Sequence, residues 1–123
     1  MMRKHLNILF NKSAFADEDV SLLSEIVSFN NTMKVLTLTG NFLSDKSTEL
    51  LGKALQTNYS LEEFDISYNK IGDAGVKHLA AGLAKHSKLR RLGLSGCGIS
   101  DQGARDFAEA FGKAFVCVSI DLF

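Results

Sequence analysis

Apolar and polar residues alternate in short segments that recur every 28 positions along the chain. The repeated pattern is apolar-x-x-apolar-x-apolar-x-x-(Asn or Cys)-x-apolar, and it starts at Met33, Leu61 and Leu89. A weaker copy starts at His5, and a copy shortened by the end of the chain starts at Cys117. Alternation over so few positions is typical of a short strand with one buried side. The sequence therefore predicts five short strands at a regular spacing.

The second half of each unit carries residues at spacings of three and four, which is the pattern of one helix face. In the four copies these are Val20, Leu23 and Val27, then Thr48, Leu51 and Leu55, then Val76, Leu79 and Leu83, then Ala104, Phe107 and Phe111. An aspartate precedes each set, and a carboxylate at a helix start accepts free backbone N–H groups and suits the helix dipole. We therefore predict that helices begin at or beside Asp17, Asp45, Asp73 and Asp101.

A single unit of strand, turn and helix is too small to bury its own apolar side, so neighbouring units must stack. Parallel strands then line one side of the stack, and the wider helices on the other side make it curve with the sheet on the concave face. The pattern and the 28-residue unit resemble leucine-rich repeats of the ribonuclease-inhibitor-like type, which also occur in Ran GTPase-activating proteins and NOD-like receptors. The resemblance implies an α/β solenoid, a right-handed β/α superhelix of about four and a quarter repeats.

The period also predicts how the chain is divided. We expect one domain over residues 1–123, made of repeats 5–32, 33–60, 61–88 and 89–116 and a partial strand over 117–123. The resemblance implies that Asn41, Asn69 and Cys97 bond to backbone groups of the turn that leaves each strand. Asn30 and Asn58 come near the ends of their units and are expected to close the helices.

Composition narrows the class of partner. The chain has 14 basic and 14 acidic side chains, so its formal net charge is zero, and this balance argues against DNA or RNA as a partner. No apolar run is long enough for a membrane-spanning helix. The two cysteines and three histidines have no metal-ligand spacing, so the sequence predicts neither a metal site nor a cofactor. The chain has too few cysteines for a disulfide scaffold, and this small number favours a reducing, cytoplasmic location.

The sequence contains no motif that indicates catalysis. A Gly-rich phosphate loop, a nucleophile elbow and a metal-binding quartet are all missing, so we predict no catalytic residue and no enzyme activity. The predicted function is a scaffold that binds a protein partner on the concave sheet face. Regulation of a GTPase or of another enzyme is a further alternative.

The predicted binding surface consists of the outward-facing strand positions and the residues that follow them. Side chains at positions 3, 5 and 7 of each repeat should point away from the core, which includes Ser67 and Ser95 at position 7. The predicted contact residues are Val35, Thr37, Phe42, Glu62, Glu63, Asp65, Tyr68, Lys70, Arg90 and Arg91.

The charges of this surface have two interpretations. Adjacent strands lie about 4.8 Å apart, so Glu62 and Glu63 should face Arg90 and Arg91 across one ladder step. In the first interpretation these residues form cross-strand salt bridges and satisfy each other. In the second they are presented as an acidic and basic group to a partner.

The last predicted strand suggests an alternative function. Solenoids normally carry polar capping units, whereas the segment 116–123 is alternating and apolar. We expect its edge to pair with another chain, either a second copy in a homodimer or the continuation of a larger repeat protein. The residues expected at this edge are Val118, Ile120 and Phe123.

Overall fold

The computed structural model describes residues 5–7, 17–85, 88–111 and 119–121. Short strands and helices alternate in these residues, as the sequence predicts. The strands are β1 (His5–Asn7), β2 (Val35–Thr37), β3 (Glu63–Asp65), β4 (Arg91–Gly93) and β5 (Ser119–Asp121). The helices are α1 (Asp17–Phe29), α2 (Asp45–Thr57), α3 (Gly72–Leu83) and α4 (Asp101–Phe111). The strands form one parallel sheet in chain order, which confirms the predicted α/β architecture.

Strand pairing repeats with the 28-residue period except at β1. Val35 pairs with Glu63, Glu63 with Arg91, and Arg91 with Ser119. His5 pairs with Val35, which is an offset of 30 residues and differs by two from the period of the sequence. Because strand side chains alternate with a period of two, this shift does not exchange the two faces of the strand.

The core lies between the sheet and the helices. The middle residues of the three central strands, Leu36, Phe64 and Leu92, are buried, while the residues beside them are half-buried or exposed. The predicted helix face packs in the same core, and its buried members are Val20, Leu23, Val27, Thr48, Leu51, Leu55, Val76, Leu79, Leu83 and Phe107. Burial of one large apolar side chain contributes about 1.5–3 kcal/mol, so each repeat depends on its neighbours for stability.

Two glycines allow the backbones of helices α2 and α3 to come into direct contact. A β-carbon added to Gly82 would overlap the backbone of Gly52, and one added to Gly52 would lie 3.2 Å from the carbonyl carbon of His78. Interiors are close-packed, so neither position has room for a side chain. The two glycines therefore set the distance between the second and third helices.

The predicted aspartates begin three of the helices, and α3 begins one residue before its aspartate. The Asp17 carboxylate accepts hydrogen bonds from the Ser44 N–H at 3.0 Å, from the Ser44 hydroxyl at 2.5 Å and from the Ser47 hydroxyl. Asp73 likewise accepts from the Ser100 N–H at 2.8 Å and hydroxyl at 2.5 Å. These carboxylates therefore tie one repeat to the next, a role that the capping pattern of the sequence does not predict.

The same hydrogen bonds alter the acidity of both aspartates. Partial burial raises the pKa of Asp17, but the bonds from the two serines of the next repeat outweigh it, and the pKa lies below the ordinary value. At Asp73 the bonds from the Ser100 hydroxyl and N–H lower the pKa against a smaller opposing effect of burial. Hydrogen bonds to the charged form stabilise it, so both carboxylates are ionised at neutral pH.

Asn69 joins two repeats at the turn where the strands end. Its side chain is 2% exposed and donates to the carbonyls of Leu38 at 3.0 Å and Ile66 at 2.8 Å. Its amide oxygen accepts from the N–H groups of Asn41 and Leu43, both at 3.1 Å. Buried backbone groups need such partners, so the implied role of this asparagine agrees with its contacts.

The equivalent positions in the neighbouring repeats act in the same way. Asn41 donates to the Leu38 carbonyl at 2.9 Å, and the Cys97 thiol donates weakly to the Ile66 carbonyl at 3.5 Å. Burial raises the pKa of the Cys97 thiol, which keeps it protonated as a donor. Near the helix ends, Asn58 donates to the carbonyl of Asn30 at 2.9 Å, as expected for a residue that closes its unit.

Candidate functional site

A shallow groove of about 210 Å³ crosses strands β2, β3 and β4 on the sheet face that points away from the helices. The parallel register places Val35, Glu63 and Arg91 in one row across the strands. A second row contains Thr37, Asp65 and Gly93. The groove therefore presents an aliphatic, a hydroxyl, two acidic and one basic side chain within three neighbouring strands.

The Glu63 and Arg91 side chains form an ion pair across this groove. The Arg91 Nη1 to Glu63 Oε1 distance is 3.3 Å, and 68% of the Arg91 side chain is exposed. An exposed pair of this kind contributes about 0–1 kcal/mol to stability. A charged group of a partner can therefore replace either member of the pair at little cost in stability. The pair predicted for these two residues is thus present in the structure.

Glu62 has a different ionic partner from the predicted one. Its carboxylate lies 3.4 Å from the Lys34 ammonium, on the side of the preceding strand. Arg90 contacts Glu62 through its backbone, with the Arg90 N–H donating to the Glu62 carbonyl at 2.7 Å. Glu62 and Arg90 both lie just before their strands, so they flank the groove and do not line it.

The Asp65 carboxylate fills the space above Gly93 in the groove. A β-carbon at position 93 would lie 2.5 Å from the Asp65 carboxyl carbon. The Asp65 carboxylate also accepts from the Ser67 N–H at 2.9 Å, which fixes its orientation. Because position 93 carries no side chain, the Asp65 carboxylate can lie over the neighbouring strand, where it places an acceptor group in the groove.

The expectation that position 7 faces outward is wrong for two of the serines. Ser67 and Ser95 are 4% exposed, and the Ser95 N–H donates to the Ser67 hydroxyl at 3.0 Å. The strands end at position 5 of each repeat, and the chain turns inward after them, so strand alternation no longer applies. These serines pair backbone groups between repeats and are not available to a partner.

A second cavity, of about 560 Å³, lies beside the turns that follow β2 and β3. We call it the rim cavity, and its walls include Phe42, Tyr68 and Lys70 together with Gly40 and Gly96. Phe42 is 57% exposed and Tyr68 is 62% exposed, which is unusual for aromatic side chains. Phe42, Tyr68 and Lys70 therefore line the rim cavity at the turns and not the groove on the strands, and their contact with a partner stays a prediction.

Tyr68 has an uncommon backbone conformation. Its φ angle is 60°, in the left-handed region, where the two equivalent positions carry glycine with φ angles of 70° at Gly40 and 62° at Gly96. A residue with a β-carbon loses about 1–2 kcal/mol there. The Tyr68 ring also lies against Gly96, where an added β-carbon would lie 2.8 Å from Tyr68 Cε1. Such strain in an exposed aromatic residue is more frequent at functional sites than elsewhere.

Comparison with known proteins agrees with this geometry. A sequence model described as Leucine Rich repeat matches residues 57–80 and 85–108. The chain folds as a leucine-rich repeat solenoid. A solved structure titled Leiomodin-1 Actin-Binding Site 2 is similar to it over 96% of this chain and 69% of that chain, with a TM-score of 0.84 and 15% sequence identity. No curated protein matches the chain.

The leucine-rich repeat fold separates the predicted contact residues into two groups. Strand residues Val35, Thr37, Glu63, Asp65 and Arg91 meet in the groove. The turn residues line the rim cavity instead. Sequence reasoning did not identify Lys34, Gly93 or the strained backbone of Tyr68. The last of these has a sequence signal, because glycine stands 28 residues before and after that tyrosine.

The predicted edge residues lie mostly outside the described part of the chain. Val118 and Phe123 are not among the described residues. Ile120 is the central residue of β5 and pairs with Leu92, and its side chain is not described. Among the described residues, no group of three His, Cys, Asp or Glu side chains is placed to hold a metal ion. Within the same residues, no helix is both long and apolar enough to cross a membrane.

Proposed function

We propose that this leucine-rich repeat chain is a protein-interaction scaffold that binds a protein partner in the concave groove. The observation that carries the proposal is the groove itself, where an exposed ion pair and a carboxylate of fixed orientation occur together on three neighbouring strands. Leucine-rich repeats give a wide, pre-formed sheet surface, so a partner meets side chains whose backbone is already ordered. The proposed scaffold performs no chemistry of its own.

Three further features agree with this proposal. The 28-residue unit is typical of the ribonuclease-inhibitor-like type, so we include that subtype in the proposal. The small number of cysteines favours a cytoplasmic location, which we also include in the proposal. The leiomodin-1 domain of similar fold is an actin-binding site by its title, which shows one use of such a solenoid in protein binding. Actin is therefore a suitable first purified probe, although its binding is not required by the groove.

A charge exchange separates a structural role of the ion pair from a binding role. In the variant Glu63→Arg with Arg91→Glu the cross-strand pair is kept, while the charges seen by a partner are reversed. We expect unchanged thermal stability and binding that is at least about tenfold weaker, because reversed charges repel the complementary groups of the partner. The measurement is titration calorimetry with a partner captured by the wild-type chain and then purified.

The matched control for this exchange is Lys34→Glu with Glu62→Lys, which reverses the ion pair that flanks the groove. This control variant should retain wild-type affinity. If both exchanged variants bind equally well, the Glu63 and Arg91 pair is structural and the groove is not the binding site.

A second candidate function is assembly through the apolar outer side of α1. Leu22, Ile26 and Phe29 lie on one face of this helix and are 67%, 47% and 86% exposed. Ala54 is the residue equivalent to Ile26 in the next repeat. It is 3% exposed and lies where helices α1 and α2 meet. In α2, the position equivalent to Ile26 is covered by the preceding helix, α1. No described helix covers Ile26 itself in this way.

The homodimer predicted from the sequence uses the C-terminal strand edge, whereas this candidate is a homodimer through a different surface, the outer side of α1. A large exposed apolar patch favours self-association. We expect concentration-dependent sedimentation of the wild-type chain and monomeric sedimentation of Ile26→Ser with Phe29→Ser, with Tyr59→Ser as a control at an exposed aromatic residue elsewhere. Equal sedimentation of all three proteins would exclude α1 as the interface.

A further inference from the structure

We propose that the rim cavity is a second binding site and that it takes a peptide segment in which an apolar side chain lies beside an acidic one. The proposal goes beyond the concave groove and does not depend on it, because the rim cavity lies at the turns after the strands. It rests on the composition of the walls, the charge at the edge and the backbone conformation of Tyr68.

The walls of the rim cavity suit an apolar side chain. Phe42 and Tyr68 are 57% and 62% exposed, and both line the rim cavity. The volume of about 560 Å³ lies within the range of ligand pockets, about 300–1,000 Å³. Aromatic residues of this kind anchor partners because they bury a large area and lose little side-chain entropy.

The edge of the rim cavity suits a carboxylate. Lys70 lines the cavity and is exposed, and within the described part of the chain its ammonium has no carboxylate in ion-pair range. A free cation beside an apolar wall favours an acidic group next to an apolar one. One lysine in a chain of zero net charge is too little for nucleic acid, where several phosphates must be neutralised together.

The backbone of Tyr68 indicates that its ring is not required for folding. Glycine holds the same left-handed conformation in the repeats before and after it. Substitution by glycine should therefore be compatible with the turn, and it would remove only the ring and the strain. The ring lies against Gly96 within the chain, but Tyr68 is still 62% exposed, so most of the residue is accessible to a partner.

The test is a selection from a library of displayed random peptides, carried out on the full-length wild-type chain and on Tyr68→Gly. We expect the wild-type chain to enrich peptides with an aromatic or aliphatic residue beside Asp or Glu. A synthetic peptide of the selected sequence should shift the backbone amide resonances of residues 40–44 and 68–70. Its affinity should fall at least about tenfold in Tyr68→Gly and about fivefold in Lys70→Gln.

A control variant and the thermal midpoint of Tyr68→Gly separate a loss of binding from a loss of folding. Tyr59→Gly alters an equally exposed tyrosine outside the rim cavity, and it should leave the selected sequence and the affinity unchanged. The thermal midpoint of Tyr68→Gly should lie within about 4 °C of the wild-type value or above it. No enrichment, enrichment without an acidic residue, or equal binding to Tyr68→Gly would each overturn the proposal. Resonance shifts confined to β2, β3 and β4 would assign the peptide to the concave groove and would also overturn it.

Discussion

Asn69→Ala is expected to lower the free energy of unfolding by about 4 kcal/mol. Alanine would leave the N–H groups of Asn41 and Leu43 without their side-chain acceptor, while the Leu38 carbonyl would keep the bond from the Asn41 side chain. Each buried group left without a partner costs about 1–3 kcal/mol. Urea unfolding at constant pH, followed by circular dichroism, measures the change.

The control for this variant is suggested by the next repeat. Cys97 occupies the equivalent position and supplies only weak bonds, so Asn69→Cys should keep a part of the lost stability. We expect its free energy of unfolding to lie between those of the wild type and Asn69→Ala. Wild-type stability in Asn69→Ala would show that the bonds between repeats at this turn do not hold the fold together.

Gly82→Val is expected to destabilise the chain by about 3 kcal/mol or more. The valine side chain would enter the space of the α2 backbone at Gly52, and overpacking of a close-packed contact typically costs about 1–3 kcal/mol. The two helices would then have to separate, which removes further buried contacts along both of them. The loss is measured as a change in the urea midpoint at constant slope.

Ala81→Val serves as the matched control, because it adds the same residue at an exposed position of the same helix. Surface substitutions of this kind change stability by about 0.5 kcal/mol or less. If both valine variants unfold at the same urea concentration, the close approach of α2 and α3 is not essential. If only Gly82→Val is unstable, the two glycines determine the spacing of these repeats.

The fold was predictable because burial is encoded directly in the spacing of apolar residues. Leu36, Phe64 and Leu92 are separated by 28 residues and occupy equivalent places in the core. The helices follow from spacings of three and four for the same reason. The register of β1 was less predictable, since its segment matches the repeat pattern weakly and offers little to fix the alignment.

The candidate site was predictable only where strand alternation holds. Alternation correctly places Thr37 and Asp65 on the groove, because both lie within strands. It fails for Ser67 and Tyr68, which come after the strand has ended, where the direction of a side chain depends on turn geometry. The partner of Glu62 was missed because register alone does not tell which of two nearby cations a flexible carboxylate reaches.

The most direct test of the proposed function is a cross-linking experiment that shows from which position of the chain a partner can be captured. A photo-reactive amino acid is placed at position 37 in the groove or, in a second protein, at position 49 on the exposed side of α2. We expect a covalent adduct with the partner from position 37 and none from position 49. Excess unlabelled wild-type chain should suppress this adduct, and Glu63→Arg with Arg91→Glu should not. An adduct from position 49 alone, or equal suppression by both competitors, would contradict binding in the concave groove.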